Sequence, residues 1–452
     1  MRINVLVAEI GSTTTVVNAF NDIDCPCPRF LGQGQAPTTV LDGDVTVGLK
    51  GAVENLRSNL KLDKVEYDEM LATSSAAGGL RMTVHGLVYD MTVRAAKEAA
   101  LGAGAIIKLV TSGKLRRTDL KRVQEIKPNI ILVAGGVDYG ERETALHNFE
   151  QIASLKLDIP VIYAGNVENQ DEIKEIAEEF GIRLYIVDNV YPKVDMLNVE
   201  PTRKVIQEVF EEHIIHAPGM ITVRDMVNGP IIPTPGAVME AAKLLRSEIG
   251  DLVVFDVGGA TTDVHSVTEG SEEINQILIS PEPVAKRTVE GDLGVFVNLP
   301  HVVEKIGLDN LMNEFADAEE LIRNAKPIPE TDREKEFIER LTKEAVLTSL
   351  DRHAGKLRHL FGPTGKKTIA EGKDLSNVKY IIGTGGALTR LPKRETILTS
   401  VRTDGKALEL FPKSDAKILI DNHYIMASLG VLSKRYPEAA LRLMKESLAY
   451  ES

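Results

Sequence analysis

A chain of 452 residues, 43% apolar and 26% charged, with 36 Gly and 20 Pro, has an ordinary globular composition. It has room for two or three domains, each large enough to bury its own core. The net charge of −13 repels phosphate backbones and anionic bilayers, so nucleic-acid and membrane partners are not expected. Two cysteines, Cys25 and Cys27, cannot staple a chain this long. Met1–Ile10 runs straight into strand-like sequence and no apolar run reaches ~18 residues, so the expectation is a cytoplasmic protein.

In chain order, short β-branched runs alternate with amphipathic helical patterns, the mark of an α/β protein. Ile3–Ile10 reads as a buried strand. Val45, Leu49, Ala52, Leu56 and Leu60 recur at helical spacing behind the caps Asp42 and Asp44. Ile130–Ala134, Pro160–Ala164 and Arg183–Val187 read as strands, and Ile173, Ile176 and Phe180 mark a helix after Asn169. Ala217–Gly236 carries four prolines and three glycines, enough to break helices and strands alike, and predicts a linker. Beyond it, Leu252–Asp256 and Val378–Ile382 read as strands, with a helix carrying Phe337, Leu341 and Ala345 after Thr331. The expected organisation is one α/β domain over 1–205, a linker or insert over 206–249 and a second domain over 250–420. The last segment, 421–452, is expected to return to the hinge as a helix.

The two halves share one feature. Val7-Ala8-Glu9-Ile10-Gly11-Ser12-Thr13-Thr14 and Phe255-Asp256-Val257-Gly258-Gly259-Ala260-Thr261-Thr262 each pass from an apolar strand through a carboxylate into glycine and a hydroxyl-bearing turn. Glycine allows close approach of a ligand, successive backbone N–H groups cup an anion, and Ser and Thr add donors. A carboxylate beside a phosphate is unfavourable unless a cation lies between them, and magnesium accepts both. Two such turns facing each other would grip the phosphates of ATP or ADP. Gly11, Ser12, Thr13, Thr14, Gly258, Gly259, Thr261 and Thr262 are then the binding positions. Either turn alone reads equally well as a tight hairpin; a matched pair, one in each half, favours the phosphate reading.

A third segment, Ile381-Ile382-Gly383-Thr384-Gly385-Gly386-Ala387, ends a strand in a glycine turn that opens a helix. Bare backbone at Gly383, Gly385 and Gly386 can lie against an adenine ring. In this order the three segments resemble the ATPase core shared by actin, sugar kinases and heat-shock chaperones. The resemblance implies a two-domain, actin-like (ribonuclease H-like) α/β fold with MgATP in the interdomain cleft. It implies that Asn198-Val199-Glu200-Pro201-Thr202 is the first interdomain connection, with Glu200 joining Glu9 and Asp256 at the magnesium and its water. It also makes the turn at Gly291 part of the site and Asp421–Gly430 the second connecting helix. Glu9 departs from the pattern by one methylene, Asp being usual there.

Longer strings, among them Ala72–Met82, Gln35–Val40, Val133–Asp138 and Lys286–Gly294, resemble a single family over nearly the whole chain. It is the glutamate mutase accessory family called MutL or GlmL, unrelated to the mismatch-repair protein of similar name. What this implies is an ATP-dependent reactivating chaperone, or companion, of an adenosylcobalamin-dependent mutase or aminomutase. Slow hydrolysis of MgATP would let the two clamps rotate apart. The residues by themselves leave open a small-molecule kinase of the same superfamily, or a nucleotide-binding scaffold without turnover.

Other signals carry less. Gly362–Thr368 fails as a P-loop, with Leu360 where glycine is needed and Lys367 where Ser or Thr is needed. Cys25-Pro26-Cys27 reads as a surface turn, and His213 and His216 lack a third ligand. Asp138, Glu141 and Glu143 fit acids near the phosphates and a capped helix start equally well.

Overall fold

The computed structural model describes residues 2–11, 13–39, 43–75, 80–214, 219–362, 365–403 and 408–450. Among them, no helix is long and apolar enough to cross a membrane.

The chain opens with β1 (Arg2–Ile10), β2 (Thr14–Asn21) and β3 (Arg29–Pro37), paired antiparallel in succession. The helix Val45–Asn59 follows, capped by the Asp44 side chain on the Thr46 N–H, and delivers β4 (Glu66–Ser74) parallel to β1. That crossover is what a parallel neighbour requires. β1 lies at the centre of its sheet and is buried on both faces, hence its unbroken run Val5-Leu6-Val7-Ala8.

Five parallel strands then form a sheet of their own. They are β5 (Arg81–Gly86), β6 (Ile106–Ser112), β7 (Ile130–Val133), β8 (Val161–Tyr163) and β9 (Leu184–Ile186), in the order β6-β5-β7-β8-β9. Within the stretch expected to be one α/β domain there are therefore two sheets.

The predicted linker is a structural element. Its described part holds the helix Met220–Met226 and then β10 (Ile231–Pro233), which completes the first sheet in the order β10-β4-β1-β2-β3. Thr234–Ile249 is a 16-residue helix with proline in its first turn. Pro218 lies outside the described residues, and Pro233 and Pro235 misled because they sit at an edge-strand end and a helix start, where the missing N–H costs little.

The second half repeats the first. β11 (Leu252–Val257), β12 (Thr262–Val267) and β13 (Ala285–Glu290) pair antiparallel. A separate hairpin, β14 (Lys356–Gly362) and β15 (Gly365–Glu371), follows the helix Asp332–His353, whose cap is the reciprocal box of Thr331 and Glu334. β16 (Tyr380–Thr384) then pairs parallel to β11, and β17 (Lys417–Ile420) parallel to β16. The order β13-β12-β11-β16-β17 has the same plan as β3-β2-β1-β4-β10. This duplicated plan is the actin-like, ribonuclease H-like α/β fold.

Between the two like sheets lies a shared core. Val5 and Val7 of β1 and Leu252 and Val254 of β11 belong to one apolar cluster with helix 234–249 and the C-terminal helices Met426–Leu432 and Pro437–Ser447. Helix 426–432 crosses helix 234–249 so closely that a Cβ on Gly430 would lie 1.8 Å from the Ala237 carbonyl oxygen.

Candidate active site in the cleft between the like sheets

Glu9 and Asp256 occupy matching places, one residue before the ends of β1 and β11. Each strand then turns through glycine. The Gly11 N–H donates to the Thr14 carbonyl at 3.0 Å, and the Gly258 N–H to the Thr261 carbonyl at 2.9 Å. A Cβ on Gly11 would stand 2.6 Å from that Thr14 oxygen, so the first turn requires glycine. The second turn is braced from outside, because the Phe296 and Val297 N–H groups donate to the Gly259 carbonyl and Asn298 Nδ2 donates to the Ala260 carbonyl.

The two turns face each other across a cavity of about 220 Å³. It is lined by Glu9, Gly11, Thr13 and Thr14 from the first half, and by Asp256, Gly258, Gly259, Thr261 and Gly386 from the second. Ser12 lies outside the described residues.

Among the described residues neither carboxylate forms an ion pair, although the Arg287 charge acts on Asp256. Among the described residues, three hydrogen bonds reach Glu9, all at Oε1: the Ser428 N–H at 2.9 Å, Ser428 Oγ at 2.5 Å and Asn18 Nδ2 at 3.2 Å. Burial raises the Glu9 carboxyl to about 7, the Asp421 charge adds to the rise, and the bonds from Ser428 and Asn18 oppose it. Burial also raises Asp256 to about 7, helped by Asp263 and Glu9 and opposed by Arg287. A divalent cation between these groups would remove the conflict. The residues therefore fit magnesium. No group of three His, Cys, Asp or Glu positioned to hold a metal occurs among the described residues.

Several predicted positions lie elsewhere. Glu200 opens the helix Glu200–Ile214 and lines a different cavity, with Oε1 2.5 Å from Arg203 Nη1 and Oε2 3.0 Å from Lys243 Nζ. Both oxygens are engaged by cations outside the cleft, so its assignment beside Glu9 and Asp256 is corrected. Thr262 is buried and donates to the Leu293 carbonyl at 2.7 Å, a structural bond. Gly291 is not among the cavity-lining residues; its carbonyl accepts from Asn298 Nδ2 at 2.8 Å. Gly383 is core, its missing Cβ leaving room for Leu398, Leu388 and Ile420. Gly385 supports the site from behind: at φ +82°, a Cβ there would stand 2.4 Å from Asp256 Oδ1.

Sequence reasoning missed four contributors. Arg390 is the only Lys or Arg among the described residues lining the cavity. Its guanidinium lies 5.6 Å from the Tyr424 ring centroid, and Nη2 donates to Gln35 Oε1 at 3.0 Å, reaching from the second half to β3. Asp263 lines the floor, its Oδ1 held by Arg287 Nη2 at 2.6 Å and Nε at 3.0 Å. Ile328 supplies an apolar wall. The Thr-Thr-Asp string after Gly259 could have signalled Asp263; Tyr424 and Ile328 carried no local mark. Cys25 and Cys27 are free and exposed, as the surface-turn reading expected.

Two sheets of one plan, each ending its first strand in a carboxylate and a glycine turn on a common cleft, define a protein of the actin-like ATPase fold. Residues 5–448 match the protein family described as "MutL protein". "Protein MutL" of Clostridium tetanomorphum is 37% identical over 460 residues, covering 98% of each chain. The chain belongs to the MutL family. Among solved structures, a diol dehydratase-reactivating factor in nucleotide-free form covers 96% of this chain and 100% of its own, at 11% identity and TM-score 0.39. Component A of (R)-2-hydroxyglutaryl-CoA dehydratase from Acidaminococcus fermentans covers 98% of this chain and 99% of its own, at 10% identity and TM-score 0.30.

Proposed function

We propose that this chain binds MgATP in the cleft, hydrolyses it slowly, and uses the resulting change to serve an adenosylcobalamin-dependent mutase of the glutamate mutase or aminomutase type as a reactivating factor. The observation that carries the nucleotide reading is the facing pair of acid-bearing glycine turns around one cavity. Membership of the MutL family supports the mutase reading.

In this reading the turns at Gly11–Thr14 and Gly258–Thr261 offer N–H and hydroxyl donors to the phosphates, and Arg390 and Tyr424 flank the remainder of the nucleotide. Glu9 and Asp256 would hold the magnesium, which when bound neutralises charge on the phosphates and the developing transition state. Ser428 and Asn18 orient Glu9, leaving Oε2 free of the bonds that fix Oε1. Phosphoryl transfer needs positioning and charge stabilisation more than covalent chemistry, and these residues supply both. Because the turns belong to different sheets, loss of the γ-phosphate would relax the grip between them, a hinge change that a bound partner can read.

The test is direct. Glutamate mutase inactivated with hydroxocobalamin is incubated with the chain and MgATP, and recovered activity and released cobalamin are followed together. Recovery that requires ATP and is lost in Asp256→Ala is the expected result; recovery without ATP, or undiminished in that variant, would refute the reading.

A further inference from the structure

Glu9 stands at the end of a row of side-chain amides that begins in the other half of the molecule. Strand pairing sets the row. Val16 of β2 is opposite Glu9 of β1, Gln35 of β3 is opposite Val16, and Gln33 is opposite Asn18. Residues two apart in a strand, and residues paired across strands, share a face of the sheet. Glu9, Val16 and Gln35 line the cleft, so Asn18 and Gln33 stand on the cleft face as well. Gly34, between the two glutamines, lies on the opposite face against helix 45–59, where a Cβ would come 2.1 Å from the Ala52 carbonyl oxygen.

The sense of each amide is fixed by its neighbours. Gln33 Nε2 donates to Asn18 Oδ1 at 2.9 Å and to the Tyr424 carbonyl at 3.4 Å. Turned over, Gln33 would set its own oxygen against two acceptors. Its Oε1 faces Arg390 Nη2 at 3.5 Å, the nitrogen that also donates to Gln35. Asn18 is fully buried and accepts from Gln33, so it presents Nδ2 to Glu9 Oε1 at 3.2 Å and to Ser428 Oγ at 2.8 Å. Both amides thus turn an N–H toward Glu9 and an oxygen toward Arg390. A reversed Asn18 would bring Oδ1 against Glu9 Oε1, acceptor against acceptor.

The far end of the row is held by the second half and the segment that returns from it. Arg390 ends the helix Gly385–Arg390, which opens directly after β16. Tyr424 follows β17 at φ +53°, in a turn held by the Asp421 carboxylate, which accepts from the Ile425 and Met426 N–H groups and from Thr384 Oγ1.

We propose that Gln33 is a positioning residue for Glu9: anchored by Arg390 and Tyr424, it fixes the Asn18 amide, which in turn holds Glu9 by Oε1 and leaves Oε2 free. The inference rests on the nucleotide reading above and adds a regulation of that site. When the second half moves away from β3, Gln33 loses the partners that set its sense, Asn18 is free to turn, and the hold on Glu9 loosens. The acid is then set for a metal ion only while the cleft is closed.

The experiment uses the full chain and measures manganese(II), in place of magnesium, bound by the ATP-loaded protein in electron paramagnetic resonance. ATP affinity without metal and kcat for ATP hydrolysis are measured beside it. Gln33→Leu removes the donor to Asn18 and is expected to lower manganese affinity and kcat by about tenfold, with metal-free ATP affinity within about twofold of wild type as the control for folding. Gln33→Glu keeps the size and strengthens the attachment to Arg390, but offers Asn18 an acceptor. Its added negative charge, acting through space, would tighten manganese binding, so a loss of about tenfold here too is the mark of a reversed Asn18. Arg390→Met and Asn18→Ala are each expected to weaken manganese binding, and Gln33→Leu to add no further loss in either background. Manganese affinity unchanged or raised in Gln33→Glu, or losses that add, would overturn the role of Gln33 and leave the nucleotide reading standing. Wild-type protein that binds no ATP would overturn the nucleotide reading itself.

Discussion

At the scale of single residues, the cleft shows the strain expected of a site whose charge balance is completed by a ligand. Glu9 is buried and Asp256 half-buried, both are pushed up to about 7, and among the described residues no cation pairs with Glu9. An ionised Glu9 at pH 8 therefore costs the ligand-free fold about 3 kcal/mol relative to its ordinary value of 4.5. Glu9→Gln keeps the oxygen that accepts all three hydrogen bonds and removes the charge. It is expected to raise the melting temperature of the ligand-free protein at pH 8 while lowering MgATP hydrolysis on the order of 100-fold. Calorimetry and phosphate release test the pair of effects; unchanged turnover would remove Glu9 from the site. Gly385 and Gly386 provide a second contrast. Gly385→Ala forces a Cβ against Asp256 in left-handed backbone and is expected to cost about 1–3 kcal/mol and to abolish nucleotide binding. Gly386→Ala, with nothing within 4 Å of the added atom, is expected to leave stability unchanged. Equal melting temperatures for the two variants would refute the role given to Gly385.

At the scale of elements, the sequence revealed what is local and concealed what depends on pairing. The acid–glycine turns after β1 and β11 were legible because a strand end, a carboxylate and a tight turn lie within ten consecutive residues. The Thr331 cap was legible for the same reason. In the parallel sheet β6-β5-β7-β8-β9, the third sheet, the strands β7, β8 and β9 were legible, but not that they form a sheet of their own with β5 and β6, since that depends on pairing between segments far apart in the chain. Nor was β10, hidden among prolines, or the convergence of Arg390 and Tyr424, which tertiary packing alone brings together. Glu200 shows the opposite error: a residue placed by resemblance, whose neighbours Arg203 and Lys243 hold it elsewhere. The third sheet also contains a buried titrating group. His85 on β5 is fully buried between Thr111 Oγ1 at 2.8 Å and Thr83 Oγ1 at 3.0 Å, and burial lowers it from 6.5 to about 4. Above pH 6.5 it is neutral folded and unfolded, and contributes no pH dependence. As pH falls from 6.5 toward 4 the unfolded chain takes up the proton first, so stability is lost across that window, by about 3 kcal/mol. Hydrogen exchange of β5 and β7 amides, compared at pH 7 and pH 4.5, is expected to show this loss, and His85→Gln to flatten it. A slope that persists in His85→Gln would assign the effect to another group.

At the scale of the whole molecule, the question is how the third sheet is joined to the cleft. The helix Arg94–Gly102 runs from β5 toward β6 and packs on β13 of the second sheet. The Leu101 carbonyl in its last turn, and that of Ala105 just beyond it, are taken by Arg287, a fully buried side chain on β13, whose Nη1 lies 3.0 Å and 3.3 Å from the two oxygens. The same guanidinium neutralises Asp263 on the cleft floor. One residue thus closes a helix end, compensates a buried acid and ties the halves together. Removing one member of such a buried pair is strongly destabilising, because the carboxylate left behind is neither solvated nor compensated. Arg287→Met is expected to cost about 3–5 kcal/mol. It should also release the amides of Ala103, Gly104 and Ala105, which bond within the same helix end, to faster hydrogen exchange. Adding Asp263→Asn to Arg287→Met removes the stranded charge, so the double variant is expected to be more stable than Arg287→Met alone. If instead the two substitutions destabilise additively, and exchange at Ala103–Ala105 stays slow, Arg287 acts only as local packing and the link between the cleft and the third sheet must run through other contacts.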